Sequence, residues 1–255
     1  MGQFEISQEQ VWAIIPARGG SKSIPLKNLV TLGGHPLIEY VILAARASRR
    51  LTRVICSTDS DPIAALCHKH EVEVHGRPQE LSGDDVPVLQ VLQHLVGDLG
   101  SREGKIADIL CLLQPTSPFV LPDDIDSAVS MLERDAQADS VQTVTHFPHN
   151  FHAYNQRFVQ DGRVRFMFPA ERRRYYNKQT KPPLWIFGNL VATRSSTILE
   201  KGDIFGDQSL ARKIPPFYAT DIDRGPDVEL AEWLLTTGKV RLPHIDSGSE
   251  KASHS

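Results

Sequence analysis

The chain has 255 residues, of which 40% are hydrophobic and 23% charged, and its formal net charge at pH 7 is −3. This length suits one α/β domain with an added segment, and the composition is that of a globular protein. The slightly acidic balance gives no reason to expect nucleic-acid binding, and no apolar run approaches the roughly 20 residues that a membrane-spanning helix needs.

The N-terminal residues and the cysteines bear on location. The first ten residues read MGQFEISQEQ and lack the charged-then-apolar layout of a signal peptide. Cys56, Cys67 and Cys111 lie in apolar or helical contexts without metal-ligand spacing, which is typical of buried thiols. We therefore expect a cytoplasmic protein that has no membrane partner.

The first candidate functional stretch follows a short apolar run at residues 11–15, a pattern typical of a buried parallel strand. Pro16 ends this strand because proline lacks the N–H that a ladder requires. Gly19 and Gly20 then allow the backbone N–H groups to turn toward one point. The polar and cationic side chains of the same loop are Arg18, Ser21, Lys22, Lys27 and Asn28. Such a loop suits a polyphosphate, although an ordinary exposed loop has nearly the same composition.

The loop matches neither of two well-known phosphate-binding patterns, since G-x-x-x-x-G-K-[ST] and G-x-G-x-x-G are both absent, and the second absence disfavours a dehydrogenase. The loop reads IPARGGSKSIPLKNL. It resembles the signature loop of the CMP-sialic-acid-synthetase-type cytidylyltransferases, which usually reads ARGGSKG-IP-KN. The resemblance implies an α/β fold of the Rossmann-like, GT-A-like nucleotidyltransferase type. This is a three-layer sandwich with a mostly parallel sheet and a hairpin-rich dimerisation insert.

The next elements support a parallel sheet on their own terms. Helical periodicity over residues 37–47 is followed by a strand at 53–57, a helix at 62–70 and a strand at 71–75. This alternation predicts right-handed crossovers between parallel strands. Ligands of such sheets bind beyond the carboxyl ends of the strands, which is where the glycine-containing loop lies.

A second motif begins at Arg77 and reads RPQELSGDD. From its residues it is a polar loop before a helix over 88–99. The resemblance identifies it with the family motif R-P-x-E-L, whose arginine and nearby backbone groups approach the cytosine. A hydroxyl residue that touches the ribose in the family falls at Val88 here, so we expect that contact to be missing.

A third motif follows the continuous apolar run at residues 107–113, which predicts a central strand, and reads LLQPTSP. In the family, the positions of Gln114 and Thr116 border the acceptor. The family then continues T-S-P-L-R, whereas Val120 stands here in place of the arginine. A helix from Asp123 or Asp124 to 134 and a strand at 140–145 are predicted next.

The alternation of strands and helices breaks at residues 146–206, where aromatic and cationic residues are interleaved. Nucleic-acid binding is a weak interpretation, because the segment is short and the chain is acidic overall. The resemblance implies instead a dimerisation insert that lends residues to the partner's acceptor pocket. Trp185 then stands where an arginine usually meets the acceptor. We predict a nucleotidyltransferase domain formed by residues 11–145 and 207–243, with a disordered tail at 244–255.

The last motif contains Asp221 and Asp223, which we predict to end a strand, with both side chains on one face. Two carboxylates so placed suit Mg²⁺ held mainly through substrate phosphates, and loop or helix-capping roles are the alternative. The sequence D-I-D before a helix is also the closing motif of the family, which favours the metal.

Together these motifs predict a homodimeric cytidylyltransferase that transfers CMP from CTP to a small acidic acceptor and releases pyrophosphate. The resemblance assigns Arg18, Ser21, Lys22 and Lys27 to the triphosphate, with Lys22 or Lys27 stabilising charge in the transition state. It assigns Asn28 and Arg77 to the ribose and base. A sialic-acid-like nonulosonate, an octulosonate or a smaller acid such as a phosphonate is the expected acceptor. A non-catalytic nucleotide-binding subunit, or a nucleotidyltransferase that uses another base or acceptor, is the alternative.

Overall fold

The computed structural model describes residues 4–146 and 148–245, and its centre is a seven-stranded sheet. The strands of the described residues are β1 (Glu5–Pro16), β2 (Thr31–Leu32), β3 (His35–Pro36), β4 (Arg53–Thr58), β5 (Glu73–Gly76), β6 (Lys105–Leu113), β7 (Ser140–His146), β8 (Arg157–Gln160), β9 (Arg163–Phe166), β10 (Trp185–Arg194) and β11 (Ser209–Lys213). The sheet order is β11-β7-β10-β6-β1-β4-β5. Strands β2 with β3, and β8 with β9, form separate two-stranded pairs.

The sheet is parallel except around β10, which runs antiparallel to both of its neighbours, β6 and β7. The central strands β1 and β6 are apolar on both faces, as strands covered on both sides must be. In the register, Ile14 lies opposite Ile55 of β4 and Leu112 of β6. The mostly parallel α/β sheet that the sequence predicts is therefore confirmed.

Helices cover both faces of the sheet, which gives three layers. The helices are α1 (Leu37–Ala47), α2 (Asp61–Lys69), α3 (Val88–Glu103), α4 (Pro122–Arg134), α5 (Pro169–Arg174) and α6 (Gly225–Thr236). Helices α1, α2 and α4 contribute to one core cluster, and α3 contributes to the cluster on the opposite face. Within residues 4–146 and 148–245, no helix is long and apolar enough to cross a membrane.

Strand β1 begins at Glu5, six residues before the predicted start. Its first part pairs with β6 from Glu5–Lys105 to Ser7–Ala107, and the register then shifts before Val11. Because of this irregularity and the partly exposed polar side chains of residues 5–10, apolar periodicity does not predict the first part of the strand.

Part of the segment predicted as an insert, residues 146–206, lies in the main sheet. Residues 148–184 contain the β8–β9 hairpin and α5, but β10 returns to the main sheet between β6 and β7. An antiparallel strand inserted between two strands that precede it in sequence breaks the βαβ alternation, so the alternation could not reveal it. The role of the segment in dimerisation stays a prediction.

Two expectations near the C-terminus also differ. Asp221 and Asp223 lie in irregular chain after the 3₁₀ turn Pro216–Ala219, so they do not share a strand face as predicted. The predicted disordered tail falls mainly on residues 246–255, which lie outside the described residues. Ile245, inside that predicted tail, is buried in a cluster with α6.

Candidate active site

A cleft of about 220 Å³ opens at the carboxyl ends of β1 and β6, beside the N-terminus of α3. Eight of the predicted site residues line it: Arg18, Gly20, Ser21, Lys27, Asn28, Arg77, Gln114 and Thr116. Gly19 lies within the loop that forms one wall. Val88 also lines the cleft. It occupies the position at which the family has a hydroxyl residue that touches the ribose. The topology therefore brings three separated motifs to one place, as expected for an α/β sheet.

The loop after β1 is held in place from two sides. The Gly19 N–H donates to Asp59 Oδ1 at 2.8 Å, and Asn28 Nδ2 donates to the Arg18 carbonyl at 2.9 Å. A Cβ atom at Gly19 would lie 2.9 Å from the Cβ of Ser60, so a glycine is required for this close approach. Asn28 thus supports the loop backbone in addition to facing the cleft.

Two cations of this loop share one carboxylate. Arg18 Nη2 lies 2.6 Å from Asp84 Oδ1, and Lys22 Nζ lies 2.7 Å from Asp84 Oδ2. Hydrogen bonds from Lys22 and then Arg18 hold the pKa of Asp84 below its ordinary value. Lys22 reaches the site through this contact and is otherwise exposed. Asp84 is a site residue that was not predicted from the sequence, although its place in the RPQELSGDD motif was a usable signal.

Arg77 is buried, and its guanidinium bonds to neutral oxygens. Nη2 donates to the Ser57 carbonyl at 2.8 Å, and Nε donates to Ser57 Oγ at 3.3 Å. Burial lowers the pKa of Arg77, and the Asp59 carboxylate opposes that shift. Arg77 has no salt bridge in the described part of the chain, which leaves its charge available to a polar group in the cleft.

The two aspartates lie at the rim, linked to the cleft by Lys27 and Thr116. Lys27 Nζ lies 3.0 Å from Asp223 Oδ1, and the Ile222 N–H donates to the Thr116 carbonyl at 2.8 Å. Desolvation by surrounding protein raises the pKa of Asp221, which keeps a solvent-accessible edge. The nearby Asp223 carboxylate adds to this rise, and the Thr116 hydroxyl opposes it.

A pair of mutually repelling carboxylates beside a cleft lined by cationic side chains fits Mg²⁺, which commonly binds through one or two carboxylates and substrate phosphates. Across the described residues there is no cluster of three or more His, Cys, Asp or Glu side chains that could hold a metal ion, so these residues do not form a site with protein ligands alone. Asp221 and Asp223 would therefore hold the ion only together with phosphate oxygens.

The two positions at which the family arginines are missing have different surroundings. Val120 has no exposed surface and packs in the core with α4, so its side chain does not face the cleft. Trp185 stacks on His146 with ring centroids 3.8 Å apart, and Lys213 Nζ lies 4.8 Å from the Trp185 ring. A cation therefore stands beside Trp185 even though an arginine does not.

Comparison with known proteins gives several matches along the chain. N-acylneuraminate cytidylyltransferase A of Danio rerio is 32% identical over 220 residues, which are 86% of this chain and 49% of that protein. N-acylneuraminate cytidylyltransferase of Escherichia coli O18:K1:H7 is 30% identical over 222 residues, 87% of this chain and 51% of that protein. Pseudaminic acid cytidylyltransferase of Campylobacter jejuni is 28% identical over 87% of this chain and 94% of its own length. The chain spans about half the length of the first two relatives.

Among solved structures, the chain is similar to a CMP:2-keto-3-deoxy-manno-octonic acid synthetase complexed with CTP. The TM-score is 0.67 at 16% identity, over 90% of this chain and 99% of that one, and this likeness supports the fold. The family model described as "Cytidylyltransferase" matches residues 12–180, which include the loop after β1 and the motifs at Arg77 and Gln114. Because this match covers well over half of the sequence, the chain belongs to the cytidylyltransferase family.

Proposed function

We propose that the protein transfers CMP from CTP to an acidic acceptor and releases pyrophosphate. The observation that carries this proposal is the meeting of Arg18, Lys27 and Arg77 in one cleft at the carboxyl edge of the sheet. Three cationic side chains from two separate motifs, the loop after β1 and the motif at Arg77, suit a triphosphate joined to a polar base. The names of the three relatives, all cytidylyltransferases, support the choice of CTP.

In this proposal the loop after β1 binds the triphosphate. Arg18, Ser21, Lys22 and Lys27 contact its oxygens, while Gly19 and Gly20 let the backbone approach. Arg77 lies deeper and binds the base, and Asn28 borders the ribose. Burial of Arg77 favours a fixed hydrogen-bonding role, because its guanidinium is already oriented by Ser57.

The reaction is an in-line displacement at the α-phosphorus. An acceptor oxygen forms the new P–O bond, and the bond to the β-phosphate oxygen breaks so that pyrophosphate leaves. Lys22 or Lys27 stabilises the charge that develops on the phosphate oxygens. Asp221 and Asp223 would hold Mg²⁺, which when bound offsets charge on the α-phosphate and pyrophosphate.

Neither residue 120 nor residue 185 is an arginine, as the family pattern would have it. Because Val120 is buried away from the cleft, only the change at Trp185 bears on the acceptor, where it removes planar, bidentate recognition of a carboxylate. We therefore propose an acceptor other than ordinary sialic acid: a modified nonulosonate, an octulosonate, or a smaller acid such as a phosphonate. Lys213 beside Trp185 offers one replacement cation, and Gln114 and Thr116 border the acceptor on the cleft side.

We also propose a homodimer in which residues 148–184 contact the partner subunit. This segment has eight arginine or lysine residues against two acidic residues, so it suits an acidic acceptor in the partner's pocket. Its exposed large apolar side chains are Phe151, Phe158, Val159, Val164, Met167, Phe168 and Tyr176. Exposed apolar side chains in one short segment are typical of a surface that another chain covers. Sedimentation analysis tests this proposal, and a monomer at micromolar concentration would contradict it.

The activity is tested by measuring pyrophosphate release with Mg²⁺, each of CTP, UTP, GTP and ATP, and a panel of acids. The panel contains ordinary sialic acid, modified nonulosonates, octulosonates and small phosphonates. We expect release with CTP and one modified or smaller acid. A preference for another nucleotide would contradict the choice of CTP. Best activity with ordinary sialic acid would contradict the acceptor proposal alone. CTP binding without release with any acid would favour a non-catalytic subunit.

A further inference from the structure

A buried amide lies between the two loops that carry the acceptor-side and metal-side residues. Asn189 is 1% exposed, and its Nδ2 donates to the Phe119 carbonyl at 3.1 Å and to the Tyr218 carbonyl at 3.0 Å. Phe119 follows Gln114 and Thr116 in the loop after β6. Tyr218 lies three residues before Asp221. One side chain therefore bridges both loops from beneath.

A bulge in β10 places Asn189 in this position. Phe187 pairs with Val144 and Val191 pairs with Gln142, so residues 188–190 face a single residue of β7, Thr143. The Thr143 hydroxyl accepts from the Asn189 N–H at 2.8 Å and lies 3.0 Å from Asn189 Oδ1. Such bulges redirect side chains next to sites. Here the bulge fixes the orientation of the Asn189 amide, with the oxygen toward Thr143 and the nitrogen toward the two carbonyls.

The same two loops are joined again at the site itself. The Ile222 N–H donates to the Thr116 carbonyl, and Ser117 Oγ donates to Asp221 Oδ1 at 3.3 Å. The chain from residue 218 to 222 is thus held at one end by the Asn189 amide and at the other end directly by the loop after β6. The anchor at Asn189 is buried, while the Asp221 end is accessible to solvent. The position of Asp221 consequently depends on the Asn189 amide.

We propose that Asn189 is a positioning residue that sets the carboxylates of Asp221 and Asp223 for a divalent cation. This inference rests on the proposed function, since it concerns the Mg²⁺ that these aspartates would share with CTP. A side chain of the same shape without the two N–H donors should let the 218–223 segment shift. A shift of the segment would move the carboxylates of Asp221 and Asp223 and weaken metal binding.

The test compares the variants Asn189→Asp and Asn189→Ser with a matched control, Ser195→Ala. Asp has the shape of Asn but presents oxygen to the two carbonyls, and Ser retains a single, shorter donor. Ser195 follows the far end of β10, is fully buried, and donates to the Ala107 carbonyl at 2.6 Å. Its removal costs a comparable buried hydrogen bond away from the cleft.

Mn²⁺ binding in the presence of CTP is followed by electron paramagnetic resonance, and CTP binding without metal is followed by calorimetry. We expect the Asn189 variants to weaken Mn²⁺ binding about tenfold or more and to change metal-free CTP binding less than twofold. Ser195→Ala should leave both unchanged. If Asn189→Asp does not fold, Mn²⁺ binding by Asn189→Ser tests the inference.

Folded Asn189 variants that bind Mn²⁺ as the wild type does would overturn the inference. An equal loss in Ser195→Ala would also overturn it, because the effect would then follow general destabilisation. A wild-type protein that binds CTP but no Mn²⁺ would instead contradict the metal part of the proposed function. The two failures are therefore distinguishable.

Discussion

The Asp84 carboxylate lies 2.6 Å from the Arg18 guanidinium, on the wall of the cleft that we propose for the triphosphate. Its second oxygen lies 2.7 Å from Lys22 Nζ. Both cations are predicted triphosphate ligands, so an anionic group of the protein already holds two of them. A bound triphosphate has to compete with Asp84 for the same donors.

The variant Asp84→Asn should therefore bind CTP more tightly. Loss of the carboxylate frees Arg18 and Lys22, and exposed ion pairs of this kind are weak enough that the gain should be about twofold to tenfold. Calorimetry with CTP measures it. Asp85→Asn is the matched control, because it removes the same charge one residue away. An equal gain in both variants would show a general effect of net charge and contradict the specific one.

The Asp84 contacts also predict a pH dependence of stability. Because Lys22 and Arg18 lower the pKa of Asp84, the ionised carboxylate stabilises the folded state. This contribution is fully present above the ordinary value of 3.8 and is lost as the pH falls through the lowered pKa. The difference in melting temperature between the wild type and Asp84→Asn should thus be constant near neutral pH and shrink in acid. A difference that grows in acid would contradict this assignment.

Elements that depend on local patterns could be predicted from the sequence alone. Helix α1 spans Leu37–Ala47, the predicted range, because its apolar residues repeat at helical spacing and a turn precedes it. The meeting of Lys27, Arg77 and Gln114 in one cleft followed from the parallel alternation and from the family motifs. Each of these predictions used information that lies within a few residues or in the order of the strands.

The features that were missed depend on contacts between distant parts of the chain. Asp84 meets Arg18 across 66 residues, and β10 enters the sheet between strands that precede it. Asn189 reaches two carbonyls because of a bulge that alternation cannot predict. Local periodicity does not encode such pairings, since each is decided by tertiary packing.

The paired glycines of the loop after β1 should respond differently to substitution. A methyl group at Gly19 would meet the Ser60 Cβ at 2.9 Å, whereas one at Gly20 meets nothing within 4 Å. Gly19→Ala should therefore lower the free energy of unfolding by about 1–3 kcal/mol, and Gly20→Ala should change it little. Thermal or urea unfolding of both variants measures the contrast. Equal destabilisation would show that Ser60 does not limit the loop.

The variants Asp221→Asn and Asp223→Asn should lose Mg²⁺-dependent turnover by about 100-fold or more while the fold remains intact, because each removes an anionic ligand of the proposed ion. Turnover is measured as pyrophosphate release over a range of Mg²⁺ concentrations. Glu229→Gln, on the exposed side of α6, is the control for charge. Full activity in both aspartate variants would contradict the metal assignment.

Restoring the family arginine at position 120 should not restore an acceptor pocket. The resemblance to the family motif predicts a lost carboxylate ligand there, yet Val120 is fully buried against α4. Val120→Arg would bury a cation without a partner, which should cost about 3 kcal/mol or more. Val120→Ile keeps the site apolar and should remain folded with a smaller loss of stability.

Melting temperatures and the yield of folded protein compare the stability of the two variants at position 120. Pyrophosphate release with the panel of acids compares their activity. If Val120→Arg folds as well as Val120→Ile and gains activity with ordinary sialic acid, position 120 faces the acceptor after all. If it unfolds, the carboxylate of the acceptor has to be held elsewhere, and Lys213 beside Trp185 is the cation to substitute next.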